Sequence, residues 1–361
     1  MLSKRLPLLF LIAILFGACS SEADKGFSVF PVDPDNTAPA DITEIAENVE
    51  VIPLETADSC MVGKWMQAKV TPDYLFVASA RTKLFQFDRK GKFLRQIGKP
   101  GKGPGEYGNR FSDFAVSPKD EMVYMLSRKK VMAYSFDGAF MGSFPTGGFG
   151  EFIHYKDGVL RVFSKEFGVK SEGKQYNVYN LHSYDSKGTI IDSLSVNKVH
   201  TPKMVVSVGP AGTQYFASAG GNDYVFAPVM VRELGQNDTL FQLKNRKLKA
   251  SVLLDFGEKG RGENRAISLM NLFRTERYLF SSYMYERKSR MYCRDMKTGK
   301  EFNLVNGFSV PEWSETPLML LPLDVTDNKL YFYQWGHDLE GKIDGVTEES
   351  NPVIFVVNLK K

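Results

Sequence analysis

The fold is decided by the stretch Phe87-Asp-Arg-Lys-Gly-Lys-Phe-Leu-Arg-Gln-Ile-Gly-Lys-Pro-Gly-Lys-Gly-Pro-Gly-Glu-Tyr107. Two short segments of alternating apolar and polar residues flank an Asp-x-x-Gly turn, and a glycine-rich connector follows, which predicts a β-hairpin and then a crossover. The aromatic/Asp/Gly turn recurs at Asp137, Asp185 and Asp295, with a weaker copy at Asn245. The connector recurs as Gly-x-Gly-Glu, ending at Glu106, Glu151 and Glu263.

The spacing of the turn residues identifies the repeat. The markers Asp88, Asp137, Asp185, Asn245, Asp295 and Asn358 are 49, 48, 60, 50 and 63 residues apart. Four short strands with their turns need about 40–50 residues, the period of a propeller blade, and the two longer intervals predict loop insertions. An aromatic content of 13%, 31 glycines and the lack of sustained helical periodicity favour strands throughout. We therefore predict an all-β fold, a six-bladed β-propeller with four antiparallel strands per blade.

The sixth blade lacks one strand at the C-terminus. Its predicted strands are Leu321–Val325, Lys329–Gln334 and Pro352–Val357, after which the chain ends. An additional strand, Asn48–Leu54, precedes the first blade. Pairing it with the last blade would close the ring and remove two open sheet edges. We predict a propeller domain over residues 47–361, closed by this N-terminal strand.

The first residues have the features of an export signal. Lys4 and Arg5 precede the apolar stretch Leu6–Ala18, which at 13 residues is too short to cross a hydrocarbon core of about 30 Å as a helix. A Gly-Ala pair directly before Cys19 resembles a bacterial lipobox, in which the cysteine receives a diacylglycerol. This predicts a lipoprotein signal peptide at residues 1–18, lipidation at Cys19 and a lipid-anchored flexible tether at residues 19–46. The alternative is an ordinary signal peptide cut near residue 18.

Composition excludes some classes of function. The net charge is +4, with basic and acidic residues interspersed, which does not indicate nucleic-acid binding. Export permits a disulfide, but Cys60 and Cys293 fall in predicted blades that are not neighbours, so two thiols are expected. The sequence contains no H-E-x-x-H, C-x-x-C, EF-hand or G-x-S-x-G motif. No recognisable catalytic set is present.

Together, the turn repeats, the Gly-Lys-Gly-Pro-Gly-Glu-Tyr connector, the lipobox and the closing strand resemble the six-bladed β-propeller lipoproteins of Gram-negative bacteria, which are related to NHL-repeat propellers. The resemblance covers Glu47 to Lys361. It implies an outer-membrane lipoprotein facing the periplasm or the cell surface, and it implies no general reaction. Many members of this family sit beside glycan- or peptide-uptake systems, so the implied partner is a glycan, a peptide or an envelope protein.

Strand order places the candidate ligand-binding residues. The turn after the second strand of each blade and the connector between blades lie on one face, named here the connector face. The predicted insertions Lys165–Asn177, Pro228–Asn237 and Gly336–Asn351 also fall there. The ligand-binding candidates on this face are Arg81, Glu106, Tyr107, Arg128, Glu151, Glu263, Arg287, Trp335 and His337.

These candidates have a functional and an architectural interpretation. In the first, carboxylates accept hydrogen bonds from ligand hydroxyls, arginines pair with acidic groups, and Trp335 beside His337 forms a sugar platform. In the second, the connector glycines supply positive φ, the glutamates cap backbone amides, and Trp335 ends a core strand with a solvated His337 beside it.

The sequence favours a non-enzymatic, monomeric binding propeller that contacts the membrane only through its lipid anchor and needs no cofactor. A second hypothesis is a divalent-cation-dependent hydrolase or lyase at the channel mouth, with Ca²⁺ held by Glu106, Glu151 and Glu263. A third is a purely structural subunit of an envelope complex.

Overall fold

The computed structural model describes residues 26–201, 213–227, 238–261 and 266–361. Their 25 strands form six sheets arranged as the blades of a ring, so the predicted six-bladed propeller is confirmed. Five sheets contain four antiparallel strands, and the sheet of blade 4 has a fifth strand at its outer edge.

The strands follow one another around the ring. The N-terminal part supplies β1 (Ser28–Pro31) and β2 (Ala46–Pro53). Blade 1 contains β3 (Gln67–Val70), β4 (Tyr74–Ser79), β5 (Lys83–Asp88) and β6 (Phe93–Gln96). Blade 2 contains β7 (Asp113–Ser117), β8 (Met122–Ser127), β9 (Lys130–Ser135) and β10 (Phe140–Pro145). Blade 3 contains β11 (Phe149–Lys156), β12 (Val159–Ser171), β13 (Lys174–Tyr184) and β14 (Ile190–His200).

The second half of the ring repeats this order. Blade 4 contains β15 (Phe216–Ala219), β16 (Asn222–Val225), β17 (Thr239–Lys244) and β18 (Lys247–Asp255). Blade 5 contains β19 (Ile267–Arg274), β20 (Tyr278–Tyr285), β21 (Lys288–Asp295) and β22 (Glu301–Val305). Blade 6 contains β23 (Leu321–Asp324), β24 (Lys329–Gln334) and β25 (Val353–Leu359), completed by β2.

The hydrophobic core lies between neighbouring blades. In β4, Leu75 and Val77 pack in the cluster shared with blade 6, whereas Phe76 and Ala78 pack in the cluster shared with blade 2. Because both faces of a blade are covered, its middle strands are continuous apolar runs, and only outer strands such as β10 alternate with solvent.

A buried carboxylate joins the innermost strands of three blades. Asp113, 3% exposed, accepts hydrogen bonds from Gln67 Nε2 at 2.7 Å and from the Ile153 backbone N–H at 3.0 Å. These contacts fix the strands that line the channel in blades 1, 2 and 3. The turns after the first and third strands of each blade form the other face of the ring, named here the hairpin face.

The N-terminal strand closes the ring as predicted. β2 pairs antiparallel with β25, from Ala46 opposite Leu359 to Pro53 opposite Val353. The Lys360 N–H donates to the Ile45 carbonyl at 2.9 Å and extends the seam. The first part of the propeller thereby completes its last blade.

The structure differs from the predicted tether in residues 26–46. β1 pairs in parallel with β18, from Ser28 opposite Val252 to Pro31 opposite Asp255, and covers the outer edge of blade 4. Val32, 4% exposed, then packs in the cluster shared by blades 4 and 5. These residues are part of the propeller because an open sheet edge and an apolar cluster bind them. Residues 1–25, including Cys19, lie outside the described residues.

The predicted insertions have different outcomes. The expected loop Lys165–Asn177 is instead a hairpin, because β12 and β13 extend beyond the other strands and pair from Leu160 opposite Tyr184 to Ser171 opposite Lys174. The insertion after β24 begins with the short helix α1 (Gly336–Leu339), and Leu339 is buried against blade 6. Residues 228–237 lie outside the described residues.

Two further observations complete the fold. Cys60 and Cys293 are both buried free thiols, as predicted. In the ranges that the structure describes, no helix has the length and apolar character needed to cross a membrane.

Candidate functional site

A cavity on the connector face lies between blades 1 and 2 and the start of blade 3. It has a volume of about 690 Å³ and is bounded by the connector 101–110, the β8–β9 turn and Phe149. We name it the basic cleft after the five cations that line it. These are Lys102, Arg110, Arg128, Lys129 and Lys130.

The connector folds into a closed loop that positions one wall of the cleft. Gly101 and Gly108 exchange backbone hydrogen bonds of 3.0 and 2.9 Å, and the Glu106 carboxylate accepts the Gly103 N–H at 2.7 Å. A Cβ on Gly101 would lie 1.9 Å from Glu106 Oε2, and its φ of +151° also excludes most side chains. Glu106 therefore stabilises its own loop, which agrees with the architectural interpretation of the motif.

Tyr107 supports this loop from inside the protein. Its side chain is fully buried, and its hydroxyl donates to the Thr82 carbonyl at 2.6 Å. The Ser127 hydroxyl donates in turn to the Tyr107 carbonyl at 2.5 Å. The connector is thus fixed to blade 1 and to the β8–β9 turn, although the Tyr107 ring is not offered to a ligand.

The charge of the cleft is unbalanced. All five cations are exposed, and none forms an ion pair with a residue that the structure describes. Glu106 is the acidic residue among the lining residues, so the described lining carries a formal charge of +4 (five minus one). Phe149 is 44% exposed at the rim, with Lys129 Nζ 4.7 Å from its ring centroid. The cleft offers cations and one aromatic face to an anionic ligand.

Arginine occupies strained backbone positions at three equivalent turns. Arg81, Arg128 and Arg287 follow the second strands of blades 1, 2 and 5 with φ of 56°, 53° and 63°. The left-handed conformation costs about 1–2 kcal/mol for a residue other than glycine. The backbone of the turn would therefore favour glycine, and it gives no reason for arginine at these positions. Arg128 lines the basic cleft, whereas Arg81 is half-buried and Arg287 is exposed elsewhere on the connector face.

A buried polar cluster lies nearer the centre of the ring. Lys165 Nζ and Glu151 Oε2 are 2.7 Å apart with side chains 0% and 7% exposed, and the Tyr215 hydroxyl donates to Glu151 Oε2 at 2.6 Å. Burial lowers the pKa of Lys165, while Glu151 opposes that change. Burial, and next the Glu151 charge, raises the pKa of Tyr215 well above its ordinary value, and the Arg81 charge acts in the opposite direction.

The glutamates of the repeated motif therefore occupy unlike places. Glu106 sits in a loop, while Glu151 lies in β11, where Gly150 is needed because a Cβ there would be 2.4 Å from Leu126 Cδ1. Glu263 lies outside the described residues. Within the described ranges, no group of three or more His, Cys, Asp or Glu side chains is arranged to hold a metal ion. The two described glutamates do not form the shared carboxylate site that the Ca²⁺ hypothesis requires.

The remaining candidates lie away from the basic cleft. Trp335 is half-buried and packs edge-on against Tyr333 at a centroid distance of 6.0 Å, directly before α1. His337 is 59% exposed, with Nε2 3.6 Å from Asp338 Oδ1. Their predicted roles in ligand binding, like that of Arg287, stay predictions.

Sequence reasoning missed most of the cleft. The missed residues are Lys102, Arg110, Lys129, Lys130 and Phe149. The run Arg-Lys-Lys at 128–130, eighteen residues after the end of the lysine-containing connector, was the available signal. This run indicates a site only if it lies beside the connector, and the packing of blades 1 and 2 determines whether it does.

Comparison with known proteins gives a family and a fold. A family model described as "Domain of unknown function (DUF4934)" matches residues 27–358. A search of curated proteins finds no match. A predicted exported protein from Bacteroides fragilis NCTC 9343 aligns with a TM-score of 0.67 and 19% identity, over 93% of this chain and all of that one.

Two other solved structures align less well. BamB from Moraxella catarrhalis has a TM-score of 0.41 and 11% identity, over 78% of this chain and 72% of its own. The Pan2 WD40 domain from Neurospora crassa has a TM-score of 0.42 and 8% identity, over 82% and 75%. Neither score supports a statement about this chain. Since the family model spans nearly the whole propeller, the chain belongs to the family described as domain of unknown function DUF4934.

Proposed function

We propose that this protein is an exported, lipid-anchored propeller that binds an acidic oligosaccharide in the basic cleft of its connector face, without catalysing a reaction. The observation that carries the proposal is the set of five exposed cations around one cavity of about 690 Å³, whose lining carboxylate is engaged by its own loop. A ligand that brings carboxylates would supply the missing counter-charges.

The size and chemistry of the cleft favour an oligosaccharide over a single small anion. An exposed ion pair contributes only about 0.2–1 kcal/mol, so useful affinity needs several pairs spread along the ligand. The ring of Phe149 gives an apolar face against which the carbon-bound hydrogens of a sugar can pack. Uronate residues in a chain combine both features.

The proposed anchor limits the distance between the propeller and the membrane. β1 runs in parallel with β18, and β18 ends at the connector face, so Ser28 is the end of β1 nearer the hairpin face. Cys19 precedes Ser28 by nine residues, which span at most about 30 Å when extended. A membrane holding a lipid on Cys19 would therefore lie within about 30 Å of Ser28.

Two lines of support bear on export. The leader resembles a lipoprotein signal with Cys19 as the modified residue, and residues 47–361 resemble the NHL-like propeller lipoproteins. The aligned protein from Bacteroides fragilis is described as exported. We infer an outer-membrane location with the propeller in the periplasm or at the cell surface.

The test is direct binding with charge-matched variants. Wild-type protein is titrated calorimetrically with uronate-containing oligosaccharides and with their carboxyl-reduced, neutral counterparts. The variant Arg128→Ala/Lys129→Ala/Lys130→Ala removes three cleft cations, and the control Lys90→Ala/Lys187→Ala/Lys297→Ala removes three exposed cations from hairpin-face turns.

We expect the acidic ligands to bind wild type and control equally and the cleft variant about tenfold or more weakly, which corresponds to about 1.4 kcal/mol. Equal binding of acidic and neutral sugars, or equal loss in both variants, would contradict the proposal. Binding of acidic peptides alone would place the ligand in another class.

A further inference from the structure

A second polar cavity lies inside the ring, toward the hairpin face. Its volume is about 210 Å³, and its walls are the ends of the innermost strands of blades 1, 2, 3 and 6, together with Gln214 just before the innermost strand of blade 4. The buried Glu151–Lys165 pair occupies the opposite end of β11, nearer the connector face. This channel cavity is therefore separate from the basic cleft, and a ligand in it would bind independently of the function proposed for the cleft.

The cations of the channel cavity form no direct ion pair among the described residues, and Asp324 is the acidic residue of the same lining. Lys69 and Lys156 are half-buried, and neither forms an ion pair or a side-chain hydrogen bond with any residue in the described ranges. Lys69 Nζ lies 5.7 Å from the ring centroids of both Phe114 and Phe152. Aromatic faces stabilise an ammonium by about 0.5–1 kcal/mol each at most such sites, but they do not neutralise it.

His154 adds an unsatisfied polar atom to the same wall. Its Nε2 is buried without a hydrogen-bond partner among the described residues, and its ring packs against Phe152 and Phe216 at 6.4 and 5.2 Å. Burial, followed by the charges of Lys69, Arg161 and Lys156, lowers the pKa of His154 to about 3. Arg161 is already paired with Asp223 at 3.3 Å, so Lys69 and Lys156 are the cations left for a ligand.

The blade 6 side of the cavity has the opposite chemistry. Asp324 and Thr326 line it beside the apolar side chains Leu323 and Val325. Burial raises the pKa of Asp324, and its carboxylate accepts the Asp327 N–H at 3.1 Å. An oxygen acceptor next to apolar walls suits ligand hydroxyls, and it disfavours a compact dianion such as phosphate.

We propose that the channel cavity binds a small hydroxycarboxylate, with the ligand carboxylate between Lys69, Lys156 and His154 and its hydroxyls toward Asp324 and Thr326. Burial is the main cause of the lowered pKa of His154, and the charges of Lys69, Arg161 and Lys156 add to it. A bound carboxylate offsets these three charges, and Asp324 is the acidic group of the same cavity lining. Binding therefore takes up a proton at His154 and is tighter at pH 5 than at pH 8.

The test uses gluconate as the probe, with sorbitol as its neutral analogue and phosphate as the competing anion class. Wild-type protein is titrated calorimetrically at pH 5 and pH 8, in buffers of different ionisation enthalpy so that proton uptake is counted. We expect saturable gluconate binding that is stronger at pH 5, with proton uptake, and no binding of sorbitol.

Variants locate the site. Lys69→Met should weaken gluconate binding about tenfold or more, because a charge-assisted contact is lost. Lys69→Arg keeps the charge and should retain binding, and His154→Gln should bind without proton uptake. The cleft variant Arg128→Ala/Lys129→Ala/Lys130→Ala should bind gluconate as wild type does.

Several results would overturn the proposal. They are equal gluconate binding in Lys69→Met and wild type, tighter binding of phosphate than of gluconate, and loss of gluconate binding in the cleft variant. A gluconate effect no larger than that of equimolar sodium chloride would indicate an adventitious ion only. If Lys69→Met fails to fold, absence of binding to wild type or to Lys69→Arg decides against the proposal equally well.

Discussion

Acidification should destabilise the protein through His154 by an amount that the structure sets. The folded-state pKa of this histidine is lowered from 6.5 to about 3, so the unfolded state takes up the proton more readily. The stability contributed by neutral His154 is complete above pH 6.5 and is lost as the pH falls toward 3. Between pH 7 and pH 5 the loss amounts to about 2 kcal/mol, given about 1.4 kcal/mol per pKa unit over the titrated interval.

The assay is urea unfolding followed by tryptophan fluorescence at pH 7, 6 and 5, in a buffer whose only small anion is chloride. Burial also lowers the pKa of His182, so wild type and variants share a background decline that cancels in the comparison. In His154→Gln the decline in unfolding free energy from pH 7 to pH 5 should be smaller than in wild type by about 2 kcal/mol. His337→Gln, which removes a 59% exposed imidazole, should keep the wild-type decline.

The result that refutes this reasoning is a parallel decline in wild type and His154→Gln. It would mean that His154 carries a proton in the folded protein or reaches solvent freely. The burial of His154, which is the main cause of its lowered pKa, would then be contradicted.

Three substitutions test the packing of the ring and the connector. Ile52→Ala in the closing strand should cost about 2–4 kcal/mol of unfolding free energy, because the Ile52 side chain is 3% exposed. Val51→Ala in the same strand should cost less than about 1 kcal/mol, because Val51 is 37% exposed. Equal costs would contradict the packing of the closing strand against the last blade. Gly101→Ala should lower the unfolding free energy by at least about 1 kcal/mol more than Gly142→Ala does. Both glycines have φ near 150°, but only a Cβ on Gly101 would meet a carboxylate oxygen, at 1.9 Å. Equal urea midpoints for the two variants would contradict the contact between Gly101 and the Glu106 carboxylate. Lys165→Met should cost about 3–5 kcal/mol because its partner carboxylate stays buried without its counter-ion, with the Tyr215 hydroxyl still donating to it, and a neutral effect in urea unfolding would show that the pair is solvated.

The sequence predicts the blades well because the signals for them are local. The Asp side chains at the third-to-fourth strand turns accept hydrogen bonds from backbone N–H groups two residues on, at 2.8 Å from Lys90 to Asp88 and at 2.9 Å from Lys187 to Asp185. A turn of this kind depends only on its own few residues. Counting such turns gave the blade number, and the missing last strand identified the closing strand.

Contacts between distant segments account for what was not predicted. β1 pairs with β18, more than 200 residues later in the chain, and no local pattern distinguishes such an edge strand from a polar tether. The repeated Gly-x-Gly-Glu motif suggested equivalent positions, yet a Cβ on Gly105 would lie 3.0 Å from Phe140 Cγ, whereas a Cβ on Gly150 would lie 2.4 Å from Leu126 Cδ1. The same sequence motif therefore lies in two different packing environments, and its glutamates do not form the expected ring of equivalent carboxylates.

The basic cleft was not predicted for the same reason: it forms only when segments distant in the sequence pack together. Its cations come from a connector and from a turn on the next blade, with Phe149 added from a third blade. Each segment alone is an ordinary solvated basic stretch. Only the packing of three blades makes them one surface, which is why single candidates such as Arg128 were found and the site was not.

The central claim is that the basic cleft binds its ligand through ion pairs, and the salt dependence of binding tests it most directly. Exposed charges are screened over about 10 Å at 0.1 M salt and over about 3 Å at 1 M. For wild type, the dissociation constant of a uronate-containing oligosaccharide should rise about tenfold or more over that range, with a much shallower rise in Arg128→Ala/Lys129→Ala/Lys130→Ala. A dissociation constant that does not change with salt, or the same salt dependence in both proteins, would contradict the account.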